Sequence, residues 1–131
     1  MIIKSYEIIK NYQKFSNYNS FLLYGENEGL KNDIFDSIKK LSDKKAEFLS
    51  MYENEVLSNE ENLYNSIYSG SLFSSSKIIT IKSGSDKLLK NLTNVLEKLP
   101  QNITLIIFSG ILEKKSKLRA LFEKKENTIC V

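Results

Sequence analysis

Apolar residues along this chain fall into short runs and helix-spaced series that alternate with one another. Three runs predict strands, at Phe21–Tyr24, Lys77–Lys82 and Asn102–Ser109. The last two are rich in β-branched residues and apolar on both alternating faces, which is typical of strands buried in the middle of a parallel sheet. Weaker patterns predict two further strands, at Lys45–Met51 and Thr128–Val131.

Apolar residues at three- and four-residue spacing predict helices between these strands. The predicted helices follow Ser5, begin near Gly29 and at Ser58, and cover Ser85–Leu99 and Leu112–Phe122. Glu61 completes a capping box with Ser58, and Asp86 is predicted as a cap at the start of its own helix. Helices that alternate with strands predict parallel crossovers, and therefore a three-layer α/β fold with an open, five-stranded parallel sheet.

The composition excludes several classes of function. The 131 residues contain no histidine and one cysteine, Cys130, which rules out histidine-based catalysis, the usual zinc sites and an internal disulfide. No apolar run approaches the roughly eighteen residues of a membrane span and no leader is recognisable, so a single cytoplasmic domain is expected, without a membrane partner. The net charge of +3 comes from lysines interleaved with acidic residues and does not by itself require nucleic acid.

The segment between the first predicted strand and the next helix has the position of a phosphate-binding loop. A working P-loop has four residues between its glycines, followed by Lys and then Ser or Thr. Here Gly25 and Gly29 are one residue too close, and the residue after Lys31 carries no hydroxyl. The carboxylates of Glu26 and Glu28 would repel phosphate, and no acidic residue ends either central strand to order magnesium. We therefore predict no bound nucleotide, no metal, no other cofactor and no catalytic residue.

Two large apolar side chains, Leu72 and Phe73, stand in a small-residue turn between a predicted helix and a predicted strand. Either they begin the following strand and pack inward, or they are held outward as contacts for a partner. Tyr64 and Tyr68, one helical turn apart, either flank such a contact or cover the sheet. The residues alone leave both alternatives open.

Several segments, taken in order, resemble the N-terminal domain of the bacterial DNA polymerase III delta subunit, which belongs to the clamp loader. The similarity extends over essentially the whole chain. It rests on FLLYGENEGL at 21–30, GSLF at 70–73 followed by KIITI at 77–81, ITLIIF at 103–108 and LEKKSKL at 112–118.

The resemblance implies an AAA+-type fold whose P-loop is degenerate, in a subunit that does not hydrolyse ATP. It implies that residues 1–131 form the first domain of a longer protein, which binds the ring-shaped beta sliding clamp and helps to open it during DNA replication. The other partners it implies are the remaining clamp-loader subunits, through further domains, and DNA in the assembled complex. No catalysis is expected of this domain itself, although the family's complex is a DNA-directed DNA polymerase.

The resemblance also assigns the contact residues. In this family a helix, a small-residue turn and a Leu–Phe pair contact the clamp, and this role carries over to Gly70, Ser71, Leu72 and Phe73. Two other hypotheses remain. One is a nucleotide-hydrolysing enzyme that tolerates the divergent loop around Lys31, and the other is a nucleic-acid-binding module that uses the lysine-rich helix ends.

Overall fold

Strands and helices alternate along the chain. The computed structural model describes residues 18–41, 47–68, 76–99, 102–124 and 128–130. Its strands are β1 (Ser20–Leu23), β2 (Glu47–Tyr52), β3 (Lys77–Lys82), β4 (Ile103–Phe108) and the short β5 (Thr128–Cys130). Its helices are α1 (Glu28–Leu41), α2 (Glu53–Ser58), α3 (Glu60–Tyr68), α4 (Leu89–Glu97) and α5 (Lys117–Lys124), and a 3₁₀ turn, Asp86–Leu88, precedes α4. The helix predicted after Ser5 lies outside these ranges.

The strands form a parallel sheet in the order β2-β3-β4-β1-β5. The register brings Leu23 opposite Phe108 in the β1–β4 pair and Tyr52 opposite Lys82 in the β2–β3 pair. Parallel neighbours cannot be joined by tight hairpins, which is why helices connect them. The predicted α/β fold with a parallel sheet flanked by helices is confirmed.

The strands β1, β3 and β4 are apolar on both faces because helices cover both. On one face the sheet packs against α2 to α5, through side chains such as Val56, Leu63, Leu92 and Phe122. On the other face α1 buries Ile34 in a smaller apolar cluster. Each fully buried side chain of this size contributes roughly 1.5–3 kcal/mol, so the sheet is the centre of stability.

The capping box predicted at Ser58 is wrong. Ser58 is the last residue of α2, and the chain turns at Asn59 before α3 begins. The Asn59 amide donates to the Glu55 carbonyl at 3.2 Å and ends the first helix there. The helix α2 was not predicted, because its six residues bury a single side chain, Val56, and so have no periodic apolar pattern.

The helix predicted to begin at Leu112 starts five residues later, at Lys117. The Asp86 carboxylate causes this late start, because its Oδ1 accepts hydrogen bonds from Ser116 Oγ at 2.6 Å and from the Leu118 amide at 3.0 Å. Asp86 therefore caps α5. The prediction that it caps the start of its own helix is wrong. The cap of the 3₁₀ turn before α4 is Ser85, whose hydroxyl accepts from the Lys87 amide.

Removal of the Asp86 cap is expected to destabilise the protein in a pH-dependent way. The hydrogen bond from Ser116 and the Leu118 amide, together with the Lys117 charge, hold the pKa of the Asp86 carboxyl below its ordinary value of 3.8. The carboxylate therefore stabilises the folded state fully above that ordinary value, and this contribution is lost as the pH falls through the lower folded-state pKa. Asp86→Ala should lower the free energy of unfolding by about 1 kcal/mol at pH 7.

Urea unfolding of the parent, Asp86→Ala and Asp86→Asn, at pH values from about 7 to 3, measures this effect. Asparagine keeps an acceptor without the charge, so the stability difference between parent and Asp86→Asn isolates the carboxylate. That difference should shrink as the pH falls. A difference that stays constant over this range would contradict the assignment.

Candidate functional site

The Lys31 ammonium group is the centre of the loop between β1 and α1. Its side chain is 6% exposed, and its Nζ lies 2.7 Å from Glu28 Oε1. The same nitrogen donates to the Gly25 carbonyl at 3.0 Å and to the Ser109 carbonyl at 2.9 Å. A lysine has three donors, so these three bonds use all of them.

Two backbone amides at the ends of this loop, those of Gly25 and Leu30, also have partners within the chain. Gly25, at a φ of +118°, directs its amide to the Gly110 carbonyl at 2.9 Å. Asn27 caps α1, since its Oδ1 accepts from the Leu30 amide at 3.0 Å. Amides at a helix N-terminus commonly bind phosphate, and here a side chain of the protein takes that place.

The structure brings the five residues predicted for this loop together. Gly29 lies in the first turn of α1, Glu26 is exposed, and Glu28 is ion-paired with Lys31. The prediction gave Glu28 a repulsive role towards phosphate, and its observed contact is an attractive one with the lysine. Neither Asn27 nor the Ser109 carbonyl was predicted as part of this site. Asn27 has a recognisable signal, since it is a good capping residue directly before a helix, whereas the Ser109 carbonyl has no local signal.

The chemical groups available in this region do not form a metal centre. Among the described residues, no group of three or more acidic or cysteine side chains could hold a metal ion. Within the same ranges, no helix is long and apolar enough to cross a bilayer.

The second candidate site follows α3. Gly70, Ser71, Leu72 and Phe73 lie outside the described residues, so the structure describes only the elements on either side of them. Leu63 and Ile67 fix α3 on the sheet, since both are buried in the larger apolar cluster.

The two tyrosines of α3 have different environments. Tyr64 is half-buried and packs against the core, whereas Tyr68, the last residue of the helix, is 47% exposed. Of the two, only Tyr68 is an exposed large side chain, and it directly precedes residues 69–75 in the sequence.

Hydrogen bonds fix the elements that flank residues 69–75. The buried Lys77 at the start of β3 donates from Nζ to the Ser66 carbonyl in the last turn of α3, at 3.0 Å. Lysine at a helix C-terminus is favourable because the ammonium satisfies a free carbonyl and opposes the helix dipole. On the far side, the Glu47 amide of β2 donates to the Ser76 carbonyl at 3.0 Å. Residues 69–75 therefore connect two positions that hydrogen bonds hold in place.

Comparison with known proteins identifies the family. A family model described as "DNA polymerase III, delta subunit" matches residues 21–131, which include the Gly25–Lys31 loop, α3 and residues 69–75 after it. No curated protein matches the chain. Since the family match covers most of the sequence, this chain belongs to the DNA polymerase III delta subunit family, whose role is that of a clamp-loader subunit in DNA replication.

Proposed function

We propose that this chain is the N-terminal AAA+-like domain of a delta subunit, that it binds the beta sliding clamp, and that it helps to open the clamp for loading onto DNA. The family match over residues 21–131 carries this proposal. The parallel sheet supports the AAA+ assignment, because β1 is followed by a loop and a helix in the position of a P-loop. The remaining clamp-loader subunits and DNA are its partners in the assembled complex, the former through further domains.

The domain does not hydrolyse ATP in this proposal, because its P-loop is degenerate. A phosphate would have to displace Glu28 and two carbonyls from the Lys31 ammonium, and Asn27 from the start of α1. The nearby Glu26 carboxylate adds like-charge repulsion. Other clamp-loader subunits then hydrolyse the ATP, and their conformational changes expose or hide the clamp-binding surface of this domain.

The clamp contact consists of Leu72 and Phe73, carried by the turn that contains Gly70 and Ser71. An aliphatic and an aromatic side chain that enter a preformed apolar pocket contribute about 1.5–3 kcal/mol each, and such anchors dominate small interfaces. The exposed Tyr68 flanks the contact, and Tyr64 supports the helix from the core side. The rigid ends of the turn favour binding, since less conformational freedom is lost in the complex.

Clamp opening follows if this surface binds the open clamp more tightly than the closed one. A ligand shifts a two-state equilibrium only by the ratio of its affinities for the two states. In this proposal α3 and residues 69–75 dock on one surface of the clamp. A neighbouring element of the domain that fits only the open clamp would then supply the difference in affinity between the open and closed states.

Alanine substitution of the two anchors tests the proposed contact. Leu72→Ala and Phe73→Ala should each weaken clamp binding by about tenfold or more, as expected of buried anchors. Titration of the cognate clamp by isothermal calorimetry measures the change. Leu57→Ala and Phe48→Ala are matched controls, because these residues are also large and exposed, on α2 and β2, and should bind as the parent does.

Unchanged affinity in both anchor variants, with circular dichroism showing an intact fold, would contradict the site assignment. Saturable binding of magnesium ATP, with turnover that Lys31→Ala abolishes, would instead support a divergent nucleotide hydrolase.

A further inference from the structure

The last turn of α3 directly precedes residues 69–75, the segment that contains the proposed clamp contact. The last four carbonyls of a helix have no amide donor within the helix, so they need donors from elsewhere. Within its described range, Glu60–Tyr68, the helix has no basic residue of its own in the last turn to bind these carbonyls or to oppose the helix dipole. The end of α3 therefore needs a donor from another element.

Lys77, the first residue of β3, supplies such a donor. Its Nζ donates to the Ser66 carbonyl at 3.0 Å, across a separation of 11 positions in the chain. Its amide donates to the Asn102 carbonyl at 3.0 Å, and the Ser76 carbonyl before it accepts from the Glu47 amide, also at 3.0 Å. The backbone of Lys77 is thus fixed between β2 and β4, while its side chain reaches the end of the helix.

Apolar packing holds α3 on the sheet but does not define the direction of its end. Leu63 and Ile67 are buried, whereas Tyr68 is exposed. Hydrophobic contacts are non-directional, and the Ser66 hydroxyl donates to the Asn62 carbonyl within the same helix, at 2.8 Å. The bond from Lys77 adds the direction that these contacts lack.

A buried lysine is a costly way to fill the first position of β3. Lys77 is 6% exposed, and an ammonium group that leaves water loses its hydration. An apolar side chain of similar length would fill the same space without that cost, so burial alone does not account for a lysine here. What the ammonium group adds is a hydrogen bond that sets the place of one helix carbonyl relative to the sheet.

We propose that Lys77 is a positioning residue for the clamp contact. By holding the Ser66 carbonyl, it fixes the point at which residues 69–75 leave α3, so that the two anchors start from a preset position. The inference rests on the proposed function and adds to it a buried residue that does not touch the clamp. An apparent affinity falls in proportion to the fraction of molecules in the binding-competent state, so loss of this bond weakens clamp binding from a distance.

Hydrogen exchange of the free 131-residue chain, followed by NMR, tests the structural part of this inference. In Lys77→Met the amide protection of residues 66–68 should fall by about tenfold, because the end of α3 opens more often, while β1 and β4 keep the protection of the parent. Lys77→Gln, whose shorter side chain also lacks the ammonium group, should give the same result. Unchanged protection of residues 66–68 would overturn the inference. An equal loss throughout the sheet would do so as well, since Lys77 would then support the whole fold.

Surface plasmon resonance with the immobilised cognate clamp tests the functional part. Lys77→Met should associate about tenfold more slowly and dissociate at the rate of the parent, because fewer molecules are competent to bind but the contact itself is unchanged. Leu72→Ala should instead dissociate faster, since it removes part of the contact. Lys82→Met is the matched control, because Lys82 is the exposed residue at the other end of β3, and this variant should bind as the parent does.

These measurements separate failure of this inference from failure of the proposed function. A parent chain that does not bind the clamp, or a Leu72→Ala variant that binds like the parent, would contradict the proposed function and this inference with it. A weakened Leu72→Ala variant together with a Lys77→Met variant that associates like the parent or like Lys82→Met would overturn this inference alone. Faster dissociation of Lys77→Met would also overturn it, because Lys77 would then act on the bound contact itself.

Discussion

Substitution of Lys31 by Met is expected to lower the free energy of unfolding by about 3 kcal/mol, because a buried acceptor left without its donor costs about 1–3 kcal/mol. Methionine retains much of the apolar stem but donates no hydrogen bond. The carbonyls of Gly25 and Ser109 would both lose their bond to the ammonium group. The ion pair with Glu28 contributes less, since that carboxylate is 74% exposed.

Urea unfolding at neutral pH measures this loss. Lys40→Met is a suitable control, because Lys40 lies in the last turn of the same helix and is exposed, and this variant should change stability by less than about 0.5 kcal/mol. A loss in Lys31→Met no larger than in the control would show that the ammonium group has no structural role. Millimolar magnesium ATP should leave the Tm of the parent unchanged, since a ligand that binds only the folded state would raise it.

Gly84→Ala is expected to destabilise the protein nearly as much, by about 1–3 kcal/mol, the usual cost of overpacking a well-packed core. A Cβ at this position would lie 2.6 Å from Ile107 Cγ2 and 3.1 Å from Ser109 Oγ. The Gly84 amide donates to the Phe108 carbonyl at 2.9 Å, so the backbone cannot easily move away. Ile107 is completely buried in β4, so its Cγ2 cannot move out into solvent to relieve the contact.

Gly29→Ala is the matched control. A Cβ there would meet only Asn27 Oδ1, at 3.5 Å, an ordinary contact distance. Because Gly29 lies in α1, alanine should raise stability by up to about 1 kcal/mol through helix propensity. Thermal unfolding of both variants should give Tm shifts of opposite sign. Equal shifts would contradict the close packing described at Gly84.

The central strands were predictable from the sequence, whereas the start of one helix was not. Lys77–Lys82 was predicted with the observed bounds because an uninterrupted β-branched run has few alternatives to a buried strand. The start of α5 depends on Asp86, which is thirty residues from Ser116 in the chain and meets it only in the folded protein. No local pattern contains that contact.

Part of the candidate site was likewise predictable from the sequence, and part of it was not. The position of the Gly25–Lys31 loop follows from the order of strand, glycines and helix, and its poor match to a P-loop is visible in the spacing. The bond from Lys31 to the Ser109 carbonyl spans 78 positions and could not be anticipated.

The most direct test of the proposed function is calorimetric titration of the cognate beta clamp with this chain and with the Leu72→Ala/Phe73→Ala double variant. The parent should form a saturable complex. The double variant should show at least a hundredfold weaker binding, about 2.7 kcal/mol or more, if both anchors are buried in the clamp. A parent chain that does not bind the clamp, or a folded double variant that binds it as tightly as the parent, would contradict the proposal.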